Sequence, residues 1–241
     1  AEQGYAGAEE LLPLVFTLIL ATIVLHGFSL GWLARRLDLS AQRGGGLIIA
    51  GGNAWGNGLA RALHERGVPV IVADNVWERL RGARLNGVPV YFGELLSEHA
   101  EHSLELGAFG SLLALTDNDS YNALVCAHFA PELGRQKVYQ LATGEVSEAR
   151  RPAPSARGRT AFANDLQYED LQRSWYQGWG FHSSRITDSY GIDEFHAQLP
   201  EGAISILVIG ANKEIVVLEA GRPLEAERAQ FAHQFLVPLL V

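Results

Sequence analysis

A chain of 241 residues with 48% hydrophobic and 19% charged side chains carries enough apolar material for a packed core, which excludes a disordered chain. Its formal charge of −8 argues against nucleic acid as a partner, because displacing counterions from phosphates requires a basic face. The single cysteine, Cys126, excludes an internal disulfide and a cysteine-cluster zinc site. No other metal-ligand spacing occurs, so no metal is expected, and Cys126 reads as a small buried residue on a helix. No methionine occurs anywhere, including position 1, which sets the expectation that an amino-terminal portion is missing.

From Leu11 to Ala34 the chain holds no Asp, Glu, Lys or Arg. About 20 such residues suffice to cross the hydrocarbon core as a helix, so residues 1–40 read as one transmembrane helix with its flanks. Glu9 and Glu10 precede the run, and Arg35, Arg36 and Arg43 follow it. Basic residues gather on the cytoplasmic side of spans, which places residues after about 40 in the cytosol, at the cell inner membrane. A signal peptide would carry its positive charge on the other flank. His26, the ionisable group inside the run, reads as a helix-packing residue beside Thr22, Gly27 and Gly31. One helix makes no transport pathway, so the remaining transporter helices are expected partners.

After Gly44–Gly46, apolar runs of strand length alternate with amphipathic stretches of helix length. This is the pattern of an α/β fold, a Rossmann-like doubly wound parallel sheet, expected over 44–141. The strands read as Leu47–Gly51, Pro69–Asp74, Val88–Phe92, Ser111–Leu115 and Lys137–Leu141. Helix faces come from Leu59, Ala60 and Leu63, from Val76 and Leu80, from Leu96 and Leu104, and from Leu124, Cys126, Ala127 and Phe129. Asp117 or Asp119 is the expected cap of the last helix.

The turn after the first strand reads Gly51, Gly52, Asn53, Ala54, Trp55, Gly56. In a dinucleotide fold the first glycine makes the tight turn, the middle one admits a pyrophosphate and the last lets helix and strand pack closely. Gly51 and Gly56 keep the outer spacing, and Asn53 takes the middle place, with Gly52 beside it. Asp74 ends the second strand 18 residues after Gly56, where a carboxylate accepts ribose hydroxyls and disfavours a 2′-phosphate. Asn75 follows it. Glu94, Thr116 and Asp117 stand at the carboxyl ends of the third and fourth strands, on the edge where ligands bind in such sheets. The candidate ligand-binding set is therefore Gly51, Gly52, Asn53, Trp55, Gly56, Asp74, Asn75, Glu94, Thr116 and Asp117. No catalytic residue is assigned: His99, His102 and His128 fall on helices and no Tyr–Lys arrangement is found.

Leu47-Ile48-Ile49-Ala50-Gly51 with Gly56, Val72-Ala73-Asp74, Gly93-Glu94, and Leu115-Thr116-Asp117-Asn118-Asp119 with Asn122 resemble the regulator of potassium conductance domain, also called the potassium-transport nucleotide-binding domain. The sequence departs from that family at Asn53, where glycine is usual, and at Glu94, where aspartate is usual. Pro13–Thr17, Thr22–Gly27 and Ala34–Leu37 are similar to the last membrane helix of bacterial sodium/proton antiporters. The two resemblances together imply the nucleotide-sensing region of a sodium or potassium:proton antiporter, with NAD(H) or an adenine nucleotide as bound regulator. They also imply a homo-oligomer and a regulator, not an enzyme. A NAD-dependent oxidoreductase and a degenerate Rossmann unit kept for subunit assembly are the alternatives.

Residues 142–160, rich in Arg, Pro, Ala, Ser and Gly, read as a linker. Residues 161–241 read as a small α+β domain: Tyr168, Leu171 and Trp175 share a helix face, Gly178 and Gly180 end that helix, and Ala203–Ile209 with Glu214–Glu219 form a hairpin. Trp175, Tyr176 and Trp179 read as packing aromatics. Protease or glycosylation mapping is expected to place every site after Ser40 in the cytosol; an external site there contradicts the orientation.

Overall fold

Strand β1 (Gly46–Ala50) is buried at every position, as expected of a parallel strand covered on both faces. The computed structural model describes residues 8–36, 44–144, 153, 156–162, 166–185, 191, 194, 197–198, 205–210, 213–219 and 232–240. Side chains at 8–11, 28, 30–36, 101, 185 and 232–240 are outside the described set. β1 pairs in parallel with β2 (Val70–Asp74) on one side and β4 (Phe109–Ala114) on the other. With β3 (Val90–Phe92), β5 (Val138–Gln140) and β6 (Arg159–Thr160), the sheet runs in the order β3-β2-β1-β4-β5-β6. The five expected strands are all present. The sixth, β6, lies in the segment expected to be linker and pairs in parallel with β5.

Alternate residues of β1 face opposite cores. Leu47 and Ile49 join Val72, Leu113 and the inner face of α2 (Ala54–His64), where Leu59, Ala60 and Leu63 are buried. Ile48 and Ala50 join Leu112, Ala114 and α5 (Asp119–Leu133), which buries Val125, Cys126 and Phe129. Leu124, 58% exposed, and Ala127, also exposed, depart from the expected face. The cap of α5 is Asn118, not Asp117 or Asp119, and its side chain accepts from Tyr121 N at 3.0 Å. Between β2 and β3 lie a 3-10 turn (Trp77–Leu80) and the short α3 (Arg81–Leu85), with Leu80 buried and Val76 partly exposed. Helix α4 (Glu98–Ser103) follows β3. Cys126 is fully buried with its Sγ 3.3 Å from the Tyr139 carbonyl, and burial pushes its thiol up to about 12.

The carboxy-terminal elements extend the first core. Helix α6 (Tyr168–Tyr176) starts with reciprocal Gln167 and Asp170 capping bonds. It ends before Gly178, whose φ of 89° suits glycine. Gly180, the other expected helix terminator, sits inside strand β7 (Trp179–Arg185), as does Trp179. β7 pairs antiparallel with β10 (Ala232–Leu240), and β10 pairs with β8 (Leu207–Gly210). The expected hairpin is β8 with β9 (Ile215–Val217), and residues 203–204 of its first arm lie outside the described residues. Leu171, Leu207, Ile209, Ile215 and Val217 belong to the same buried cluster as Leu47 and Ile49. The two halves therefore share one core from β1 onward, which forms one compact unit while α1 belongs to another.

Helix α1 (Ala8–Arg36) runs for 29 residues with Pro13 near its start. Its described apolar side chains are exposed, with Leu12 at 81% and Phe16 at 71%. Three of its polar side chains bond within the helix. Thr17 Oγ1 donates to the Pro13 carbonyl at 2.7 Å and Thr22 Oγ1 to the Leu18 carbonyl at 2.8 Å. His26 Nδ1 lies 2.9 Å from the Thr22 carbonyl, an acceptor only, so Nδ1 carries a proton. The longest stretch of α1 with described side chains is Leu12 to Gly27, 16 residues. Among the described residues, no helix is long and apolar enough to cross a membrane.

Candidate functional site

The turn between β1 and α2 is built by close approach. Gly51 has φ of 114°, a conformation that L side chains rarely adopt, and a Cβ on it would lie 3.0 Å from the Leu115 backbone. At Gly52 a Cβ would lie 2.9 Å from the Arg79 carbonyl oxygen. These contacts bring the ends of β1, β4 and the post-β2 turn against one another.

Asp74 holds that arrangement. Its Oδ2 accepts from Gly52 N at 2.8 Å and its Oδ1 from Val76 N at 2.8 Å, with the residue 8% exposed. The two bonds use one acceptor position on each oxygen, and a carboxylate offers about two more in all. Gly93 N donates to the Asp74 carbonyl at 3.1 Å, joining the end of β3 to the same residue.

Asn53 caps α2. Its Oδ1 accepts from Gly56 N at 2.7 Å, while its Nδ2 donates to the Leu115 carbonyl at 2.6 Å. Asn57, buried one turn further on, donates through Nδ2 to the carbonyls of Gly52 at 3.1 Å and Arg79 at 2.8 Å.

The carboxyl ends of β3 and β4 close the crevice. Tyr121 Oη donates to Glu94 Oε1 at 2.5 Å, and Leu96 N reaches the same oxygen at 3.3 Å. Burial, followed by the Glu94 carboxylate, pushes the Tyr121 phenol well above its ordinary value, which keeps it a donor. Thr116 is tied to the fully buried Asn122: its Oγ1 lies 2.6 Å and its N 3.1 Å from Asn122 Oδ1, and Asn122 Nδ2 donates to the Thr116 carbonyl at 2.9 Å. Asp117 is half exposed, 4.0 Å from Arg79 Nη2.

These groups surround a cavity of about 230 Å³ at the carboxyl edge of the sheet. Gly51, Asp74, Asn75, Glu94, Thr116 and Asp117 of the expected set border it. Gly52 and Asn53 border a second cavity, of about 500 Å³, walled by α2, α3 and α6. Gly56 borders neither. Trp55 does not face a ligand: its ring is 1% exposed and packs edge-on against Phe162 and Phe181, at 5.5 and 5.0 Å. The residue contributes only its backbone to the turn. Sequence reasoning missed Arg79, which borders both cavities, and Tyr121, whose place in the first turn of α5 aims it at the crevice. Among the described residues, no group of three metal-ligating side chains converges.

An all-parallel sheet in this order, with a glycine turn after β1, a carboxylate ending β2 and a crevice between them, defines a Rossmann-type unit. Within that class, residues 47–149, rather under half of the chain, match the TrkA-N domain model. The solved structures that resemble the chain are distant. The NAD(P)-binding domain of an exopolyphosphatase-related protein from Archaeoglobus fulgidus shares 18% identity, covering 54% of this chain and 92% of that one, with a TM-score of 0.40. The GsuK RCK domain shares 14% identity over 81% of this chain and 44% of its own, at 0.40. The GsuK channel bound to NAD shares 18% over 99% of this chain and 46% of its own, also at 0.40. This chain thus spans less than half the length of either GsuK structure. No curated protein sequence matches it.

Because Asp74 pairs two backbone amides, Gly52 N and Val76 N, Asp74→Asn leaves one of them facing an NH₂ group. The expected loss of stability is about 1–3 kcal/mol in denaturant unfolding. A change below about 0.5 kcal/mol would show that the carboxylate does not hold the turn.

Proposed function

We propose that the crevice binds a nucleotide as a regulator, and that the chain is the sensing region of a monovalent cation:proton antiporter. The observation that carries the nucleotide reading is the position of Asp74, a buried carboxylate with unused acceptor capacity at the cavity wall beside the glycine turn. In Rossmann units that position reads the ribose hydroxyls. The TrkA-N match over the same residues supports the reading.

The transporter half of the proposal rests on α1. An apolar helix whose described side chains are exposed needs lipid or other helices to cover it. The uncharged run Leu11 to Ala34 and the arginines after it support a membrane-spanning role with the sensor on the cytosolic side. The unit is a sensor and not a catalyst in this reading. The carboxylates of Asp74 and Glu94 are engaged in holding the backbone and Tyr121, with no acid–base histidine bordering the cavity among the described residues.

Calorimetric titration of the full chain tests the site. Nucleotides with a free 2′-hydroxyl should bind, and NADP should bind more weakly than NAD because Asp74 repels the extra phosphate. Asp74→Asn should weaken NAD by roughly 10- to 150-fold, the worth of a charged hydrogen bond, and narrow the NAD/NADP difference. Absence of binding by every adenine nucleotide would leave the assembly-only alternative, which the capping bond of Asn53 favours.

A further inference from the structure

The second cavity, of about 500 Å³, falls within the roughly 300–1,000 Å³ of small-molecule pockets and shares only Arg79 with the crevice. Three walls build it. On α2, Ala54, Asn57, Gly58 and Arg61 recur at helical spacing, opposite the face that buries Trp55, Leu59 and Leu63. On α6, Tyr168, Gln172, Trp175 and Tyr176 repeat that spacing. Glu78, Arg79 and Gly82, between β2 and β3, supply the third wall.

Two side chains on these walls are incomplete. Asn57, 9% exposed, commits its Nδ2 to the Gly52 and Arg79 carbonyls, and its Oδ1 is shut off from solvent with no hydrogen-bond partner among the described residues. Gln172 Nε2, on α6, is in the same condition. One is an acceptor and the other a donor, and each buried polar atom left unpaired costs about 1–3 kcal/mol. A ligand edge that presents a donor beside an acceptor completes both.

The rest of the lining selects what carries that edge. Trp175 packs against α2 at Gly58, where a Cβ would lie 2.3 Å from its ring, whereas Tyr176 is 81% exposed and offers an open ring face for stacking. Arg61 engages Glu65 through Nε, and Arg79 stands 4.0 Å from Asp117, so two guanidinium groups border the cavity against the single carboxylate of Glu78. A flat ring with a donor–acceptor edge and an anionic substituent is the chemistry of a nucleotide.

We propose that this cavity is a second nucleotide site. The base lies between Asn57 and Gln172 with Tyr176 stacked on it, and the phosphate meets the arginines. The assignment does not depend on ligand binding in the crevice.

The probe is AMP, titrated calorimetrically into the full chain to saturation. Two molecules should bind per chain, one weakened by Asp74→Asn and the other by either of two changes in α6. Gln172→Leu should weaken the latter roughly 2- to 10-fold, the worth of one neutral hydrogen bond. Tyr176→Ala should weaken it about fivefold or more, the worth of a base–aromatic stack, and because Tyr176 is largely exposed this variant keeps the fold even where the leucine variant does not. A second affinity unchanged in both α6 variants, or a single molecule per chain that responds only to Asp74→Asn, would overturn the second site and leave the crevice reading intact. A single molecule that responds to the α6 variants and not to Asp74→Asn would support the second site and overturn the crevice reading. Binding of none would overturn both.

Discussion

The arrangement of the crevice depends on one carboxylate. Asp74 accepts from Gly52 N on one oxygen and Val76 N on the other, while its carbonyl accepts from Gly93 N. One residue therefore joins the β1–α2 turn, the β2–α3 turn and the end of β3. The buried Gly52 amide without that carboxylate would carry a desolvation penalty of about 1–3 kcal/mol. The group proposed to read a ribose is also the group that builds the wall around it, so ligand recognition and local stability cannot be altered separately at this position.

Arg79 gives the site a mechanical connection. Its carbonyl accepts from Asn57 Nδ2 at 2.8 Å, its guanidinium stands 4.0 Å from Asp117, and it borders both cavities. A ligand that shifts Arg79 changes a wall shared with the cleft under α6, which packs in the same core as β8 and β9. Regulation requires two states with different ligand affinity, and this shared wall is where such a difference would be transmitted. The capping bonds of Asn53 oppose free movement of the turn itself, which leaves the post-β2 segment as the adaptable side.

Much of the sheet was legible because its strands are buried on both faces and read as short apolar runs bounded by glycine or aspartate. Leu47–Ala50 is the clearest case. Strand β6 was not legible: two residues, Arg159 and Thr160, in a polar stretch carry no period at all. Helix α5 misled differently. Its sequence is apolar around most of its circumference, so nothing in the pattern separates exposed Leu124 from buried Val125. Asn118 lies between two aspartates that are equally good caps, and only the hydrogen bond to Tyr121 N distinguishes it. The glycine fingerprint located the site correctly as a backbone feature but said nothing about side-chain direction. Trp55 consequently read as a ligand contact, whereas Phe162 and Phe181, more than a hundred residues away in sequence, draw its ring into the core. Tyr121 and Asn57 lay outside any motif because their partners, Glu94 and the Gly52 and Arg79 carbonyls, are brought to them only by folding.

The central claim, that a nucleotide occupies the β2 side of this crevice, is tested most directly by amide hydrogen exchange of the full chain with and without saturating AMP. The account predicts slowed exchange at Asn75 and Val76 and around Glu94. Protection confined to α6, or no change anywhere at saturation, would contradict it.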